Sequence, residues 1–387
     1  AALVDQGKRA GVVYAVARGG KLAALKALGW RNLENKVAMT TDSIFRIYSM
    51  SRAVTGSAVL TLVEDGKLSL DDPVAKYIPE IGEMPVITEV LNGQVIATVP
   101  QAQPMTIRHL FNYTSGLGYA PAWPAGVGIK QRDILALDQT TIEGIRKLAK
   151  YPLLHQPGTK WAYGFHSDVL GAVAEVISGQ PLDRFVRERV TGKLGMADTD
   201  FTIAAASQPR FADVYRPGPD GKLRNISAEA PPSGNYLKPG PFFSGGGGMT
   251  STAMDFLSFA EMLRQGGSFN GARVLKPETV KAMTTNALTA RQGGEVYWND
   301  SYALDLCRGY GWGLALGVRL PPSDTITPHT APGTTGDFGW YSLANAMWFA
   351  DPSEEISAVV MSHYQGVGQR DAGAALREGV YAALGRV

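Results

Sequence analysis

Cysteine is almost absent from this 387-residue chain: only Cys307 is present. A single thiol cannot build an internal disulfide framework, and it excludes a cysteine-based zinc site. Histidine is scarce as well. The five histidines (His109, His155, His166, His329 and His363) show no metal-ligand spacing and no His-Glu-x-x-His pattern. No uninterrupted apolar run is long enough to span a bilayer. Charge of one sign is lacking too. The 37 Lys and Arg residues nearly balance 35 Asp and Glu residues, giving +2 with both signs scattered. Neither a basic stripe for nucleic acid nor a Lys/Arg cluster for anionic lipid is present, so neither partner is expected. There is no Gly-x-Ser-x-Gly elbow, which argues against an α/β-hydrolase. The glycine run at 245–248 lacks a following Gly-Lys-Ser/Thr and is not a phosphate loop. The chain begins at Ala1 without Met, as expected of a processed or trimmed terminus.

What is present is a large apolar fraction, 45%, enough for a substantial core, with 45 Gly and 23 Pro marking many loops. Residues 11–17 and 21–29 read as two strands joined by Gly19-Gly20, a hairpin signal, and 44–48 as a third short strand. From Met50 to Asp65 the pattern is apolar nearly all round, predicting a helix buried in the protein interior and stopped by Gly66. Asn92-Gly93 between two β-prone runs predicts a second hairpin over 86–99. Helices are expected from Ile107, through Val169–Ile177 to Gly179, over 253–264 after a Thr252 cap, and over 371–384. Residues 215–245 read as long loops, and 313–318, 340–349 and 356–362 as strands. Strands at both ends with helices between predict an α+β fold. An antiparallel sheet flanked by helices would be built from both chain termini (1–75 plus 240–387), with an inserted, mainly helical subdomain (76–239) and a cleft between them.

Three segments could carry chemistry. In Tyr48-Ser49-Met50-Ser51-Arg52, a serine at a helix N-terminus meets unpaired N–H groups and the helix dipole, with Arg52 three residues on and on the same face. Judged alone, Ser49 reads more often as a helix cap than as a nucleophile, and Arg52 as a partly buried ion-pair residue. Tyr163, just ahead of a helix and after Gln156-Pro157-Gly158, could turn a phenol into a cleft, where a phenolate beside a fixed cation takes a proton from a serine. The bland alternative is a packed aromatic next to Trp161. The stretch 336–342 has glycines that let a strand edge approach a ligand, or simply kink a core strand.

Taken jointly, five segments resemble one family across nearly the whole chain: FRIYSMSRAVTG, DGKLSLDDPVAKYIPE, TIRHLFNYTSGL, WAYGFHSDVLGAVAEVISG and FSGGGGMTSTAMDFLSFAEML. They are similar in order and spacing to the serine β-lactamase-like group, which includes class C β-lactamases, penicillin-binding esterases and family VIII carboxylesterases. The resemblance implies the fold described above and a serine hydrolase that works without metal or cofactor on a small-molecule ester or related carbonyl compound. By position, Ser49 would be the acylated nucleophile, Tyr163 its base, and Arg52 would stand where the family has lysine. Trp340, Tyr341 and Ser342 would occupy the third motif, with Phe165, His166 and Tyr119 as further substrate contacts. Arg52 departs from the pattern because an arginine keeps its proton in proteins and cannot shuttle it. Two alternatives therefore stay open beside hydrolysis: acyl transfer or other carbonyl chemistry at the same site, and a catalytically impaired ligand-binding member, natural or engineered.

Overall fold

The computed structural model describes residues 1–229, 234, 236–289, 308–323, 329–366 and 371–386; Cys307 lies outside them. Its largest sheet has eight strands, ordered Tyr310–Trp312, Gly317–Arg319, Phe338–Tyr341, Met347–Asp351, Ile356–Ser362, Gly11–Arg18, Lys21–Asn32 and Val37–Ala38. Every pairing is antiparallel. The two ends of the chain meet where Gly11–Arg18 lies against Ile356–Ser362, with Val13 opposite Met361 and Ala15 opposite Val359. The first hairpin turns at Gly19 and Gly20, whose φ values of 55° and 79° suit glycine.

Strand alternation assigns the two faces. Val359 and Met361 point into the core that contains Phe256 and Phe259 of the helix Ala253–Arg264. Ile356, Ala358 and Val360 point the other way, toward Ala372 and Tyr381 of the C-terminal helix Asp371–Ala383. Thr252 caps the first of these helices by accepting the Asp255 N–H at 3.2 Å.

The apolar stretch after Ser49 forms the helix Ser51–Glu64, and every residue from Ser51 to Leu62 is buried. An all-round apolar surface requires neighbours on all sides. They include the helix His166–Ser178, which ends at Gly179 with φ 68°, and the turn at Ala315, which approaches Gly56 so closely that an added Cβ would lie 2.8 Å from the Ala315 Cβ.

Several sequence expectations change. The run 313–318 is not one strand: Gly313 N–H donates to Leu316 O at 2.9 Å and Ala315 has φ 67°, so the chain reverses there. The run 340–349 is also a hairpin, turned by the Ser342 N–H to Ala346 O bond (2.8 Å) and by Asn345 at φ 61°. Leu314, Ala315 and Leu316 keep the first reversal apolar, and Leu343 and Ala344 lie among the polar residues of the second, so hydrophobicity alone did not mark them. Within the expected loops of 215–245, Tyr215–Pro217 and Leu223–Asn225 pair as a small hairpin. The segment 44–48 keeps only Phe45–Arg46 as strand, paired with Thr250–Ser251.

The strand Phe338–Tyr341 is anchored by the residue before it. Asp337 is fully buried and accepts hydrogen bonds from Arg319 Nε (2.7 Å), Arg377 Nη1 (2.9 Å) and Tyr310 Oη (2.5 Å). Burial opposes its ionisation, but Arg377 and Arg319 outweigh burial and hold the carboxyl below its ordinary value. Charged hydrogen bonds of this kind replace the lost water.

Glu175, on the helix His166–Ser178, gives a pH signature. It accepts from Leu182 N–H (2.9 Å) and Thr141 Oγ1 (3.2 Å), yet burial pushes its pKa from 4.5 up to about 7. Because the folded pKa lies above the unfolded one, the protonated acid is the stabilising form. Its contribution is complete below pH 4.5 and is lost as pH rises through 7. Glu175→Gln removes this titration. Between pH 4.5 and 8, wild type should lose about 1–2 kcal/mol relative to the variant in denaturant unfolding, after discounting for partial exposure. A pH-independent difference would contradict the assignment.

Candidate active site

Ser49 is placed by a turn that its neighbours force. The short strand Phe45–Arg46 leads into Tyr48 at φ 41°, and Tyr48–Met50 form a single 3-10 turn before the helix starts at Ser51. A bulky residue in left-handed backbone costs on the order of 1–3 kcal/mol and persists only where packing over-determines it. Here the Tyr48 ring is buried and its hydroxyl accepts from Gln365 Nε2 at 3.1 Å. The helix N-cap is Met50, with no side-chain cap bond, so the cap reading of Ser49 does not apply. Ser49 is half-buried, between buried neighbours on both sides. Its turn packs against the strand Phe338–Tyr341.

One helical turn on, Arg52 is fully buried. Its Nη1 donates to Tyr113 Oη at 2.8 Å and to the Gly164 carbonyl at 3.1 Å, and its Nη2 donates to Tyr119 Oη. No carboxylate is among these partners, and the Nε–H is left without one. The guanidinium lies over the Tyr163 ring, 4.2 Å from its centroid, close enough for a desolvated cation–π contact. Burial works against the charge, but Tyr113, Tyr119, Tyr163 and Asp168 outweigh it, and the Arg52 pKa stays well above its ordinary value. Arg52 is therefore a permanent cation in a dry site.

Tyr163 is half-buried, and its hydroxyl oxygen accepts the Trp340 Nε1–H at 2.9 Å. An indole N–H only donates, so this bond uses an oxygen lone pair and not the phenol proton. Around this pair the aromatics interlock. Trp340 meets Trp312 edge-on at 4.5 Å, Tyr163 lies 5.7 Å from Tyr113, and Tyr119 lies 5.8 Å from Tyr163. Tyr113 stacks on His166 at 4.3 Å with an interplanar angle of 9°.

The structure thus brings together segments distant in sequence: 48–52, 113–119, 163–167, 312 and 338–341. Ser49, Tyr163, Tyr119 and Trp161 keep some exposure. Phe165 and His166, expected as substrate contacts, are both 0% exposed and form the wall behind Tyr119 and Tyr113. His166 is neutral: burial first, then Arg52, depress its pKa well below the ordinary value, so it does not titrate as a base near neutrality. Ser342, also expected as a contact, is consumed by its hairpin turn, where its N–H donates to Ala346 O and its Oγ accepts from Ala344 N–H (3.0 Å). Tyr341 is buried in the apolar cluster with Trp340. Trp123 sits in the other core with its Nε1–H on Pro152 O at 2.7 Å.

The sequence reading missed Tyr113. It follows the five-residue helix Ile107–Phe111 and adopts φ 61°, which puts its ring in the centre of the cluster. Burial pushes its phenol up to about 12, so it stays protonated and donates or accepts in the 2.9 Å contact with Ser167 Oγ. The only available signal was a bulky residue between Asn112 and Thr114 in a stretch that otherwise reads as a turn. Asp168 was also missed. It accepts from Ser244 Oγ (2.5 Å) and Gly246 N–H (3.1 Å), tying the glycine run to the helix His166–Ser178. Among the described residues no group of His, Cys, Asp or Glu could hold a metal ion, and no helix is long and apolar enough to cross a membrane.

Comparison with known proteins identifies the family. The Beta-lactamase family profile matches residues 1–383. Protein Rv1367c of Mycobacterium tuberculosis is 35% identical, over 91% of this chain and 85% of its own. Esterase EstB of Burkholderia gladioli is 33% identical, over 98% of this chain and 94% of its own. Among solved structures, EstCE1, described as a hydrolase with promiscuous acyltransferase activity, superposes with a TM-score of 0.79 at 27% identity, covering 98% of this chain and 96% of its own. With a matching profile over nearly its whole length and esterases among its relatives, the chain belongs to the serine β-lactamase-like family.

Proposed function

We propose that the protein hydrolyses small carboxylic esters through an acyl-Ser49 intermediate, with Tyr163 as the base. The observation that carries this reading is the fixed cation beneath the Tyr163 ring together with the indole N–H on its oxygen. Both stabilise negative charge on Tyr163 as it enters the reaction, and burial strengthens both. The esterase relatives support the reaction class.

In the proposed sequence, Ser49 Oγ attacks the ester carbonyl carbon while its proton passes to the Tyr163 oxygen. In this reading the Ser49 backbone N–H, at the helix entrance, donates to the oxyanion. Collapse breaks the bond to the alcohol oxygen, which leaves with the proton from Tyr163. Water then attacks the acyl-Ser49 carbonyl, its proton goes to Tyr163, and Ser49 departs as it recovers that proton. Replacing water by an alcohol gives acyl transfer by the same steps, the second outcome favoured by the likeness to EstCE1. Arg52 moves no proton in either case; it supplies charge alone.

Intact mass after exposure to a fluorophosphonate should show one stoichiometric adduct that is lost in Ser49→Ala. Absence of an adduct on folded wild-type protein would sink the covalent mechanism. Arg52→Lys tests the cation. One ammonium cannot replace a planar fork shared among Tyr113, Tyr119 and Gly164, so p-nitrophenyl butyrate hydrolysis should fall by roughly tenfold or more. A rise in rate would mean that Arg52 impairs the site.

A further inference from the structure

Three contacts fix the Arg52 guanidinium, and two of them are phenols outside the proposed Ser49–Tyr163 pair. We infer that Tyr113 and Tyr119 are positioning residues whose hydroxyls clamp the Arg52 guanidinium beneath Tyr163 and so set the reactivity of that tyrosine. The inference rests on the acyl-Ser49 reading above and adds to it the device that makes an arginine serviceable where a proton-carrying lysine is absent.

The geometry of the fork is the first support. An arginine side chain long enough to reach Tyr163 carries two Nη groups in one plane. Nη1 is held by Tyr113 Oη and the Gly164 carbonyl, and Nη2 by Tyr119 Oη, so the plane is fixed by acceptors on both of its ends. Each phenol presents an oxygen lone pair to the arginine, which leaves its own proton for another acceptor; Tyr113 meets Ser167 Oγ at 2.9 Å. Without these acceptors a buried guanidinium would lose its replacement for water and swing toward other oxygens.

The second support is how firmly the phenols are themselves held. The Tyr113 ring is gripped between His166 at 4.3 Å and Trp312 at 4.5 Å. Its backbone is kept in the left-handed region, at φ 61°, while its carbonyl accepts the Ala162 N–H at 2.9 Å and Asn112 Oδ1 accepts the Thr114 Oγ1–H at 2.7 Å. Tyr119 is braced edge-on by Phe165 at 4.9 Å. The strained backbone at Tyr113 is retained where the ring has a task to perform. This gives His166 and Phe165 a place as well: they back the clamp and do not contact substrate. Gly164 completes it, because a Cβ there would strike the Gly118 backbone at 2.4–2.5 Å.

Tyr113→Phe and Tyr119→Phe, made in the wild-type and Arg52→Lys backgrounds, test the clamp in the full chain. With p-nitrophenyl butyrate, each change in wild type should lower kcat roughly tenfold with KM within about twofold, and in Arg52→Lys should cost less than about twofold. If Arg52→Lys does not fold, Arg52→Gln serves as the background. Equal losses in both backgrounds, or loss in KM with kcat intact, would overturn the inference and assign the phenols to packing or to substrate binding. Thermal unfolding of the same variants separates this from the reaction itself. Non-additive melting shifts in a wild type that forms no Ser49 adduct would uphold the clamp and reject the acyl mechanism. Additive shifts together with normal hydrolysis would do the reverse.

Discussion

A guanidinium buried with no ion-pair partner among the described residues governs the centre of this protein. Arg52 is fully enclosed, its donors resting on two phenols and a carbonyl, and the aromatic residues from five segments close around it. A charge left in a dry interior must find neutral acceptors and polarisable faces, because desolvation is costly. The rings of Tyr163, Tyr113 and Tyr119 provide such faces, at 4.2, 5.6 and 5.5 Å from the guanidinium carbon. Packing and electrostatics therefore answer to the same group. The aromatic cluster is a core in the ordinary sense, and it is also the solvation shell of one cation.

An arginine at such a site makes different demands on its surroundings from a lysine. A lysine ends in a compact point charge that can give up its proton, and an arginine ends in a flat fork that cannot. The fork needs acceptors spread in a plane, and the chain meets that need with Tyr113 and Tyr119 from the same connecting stretch and with the backbone of Gly164. In the proposed mechanism Tyr163, half-buried over this fixed cation, is the group that exchanges a proton with Ser49.

Much of the architecture was legible because its signals are local. Gly19-Gly20 and Asn92-Gly93 mark their hairpins, Thr252 marks its cap, and the all-round apolar surface of Ser51–Glu64 marks a helix enclosed by others. The family was legible because five segments kept their order. The hairpins at 313–316 and 342–346 were not, since Leu314, Ala315 and Leu316 keep the first turn apolar and left-handed φ falls on Ala315 and Asn345 rather than on a glycine. Ser49 and Arg52 were named from one stretch and Tyr163 from another, and the fold brings the two stretches side by side. The use of Tyr113 was hidden for a physical reason: its importance lies in a contact with residues 52, 166 and 312, none of them near it in sequence. His166 and Phe165 drew attention by their position next to Tyr163, but a helix start turns successive side chains to different sides, and these two turn inward.

The Asp337 clamp has a consequence for the order in which the protein is made. Trp340, which touches the oxygen of Tyr163, follows directly from Asp337, and Asp337 is neutralised by Arg319 and by Arg377 on the C-terminal helix. Until Arg377 has been synthesised, that carboxylate has half of its counter-charge, and the strand carrying Trp340 has no settled anchor. Ser49 and Arg52 are made well before Arg377, yet the strand carrying Trp340 beside them depends on it. The surroundings of Ser49 are thus completed only once Arg377 has been made, so the candidate site stays unfinished while the segments between them are still being extended.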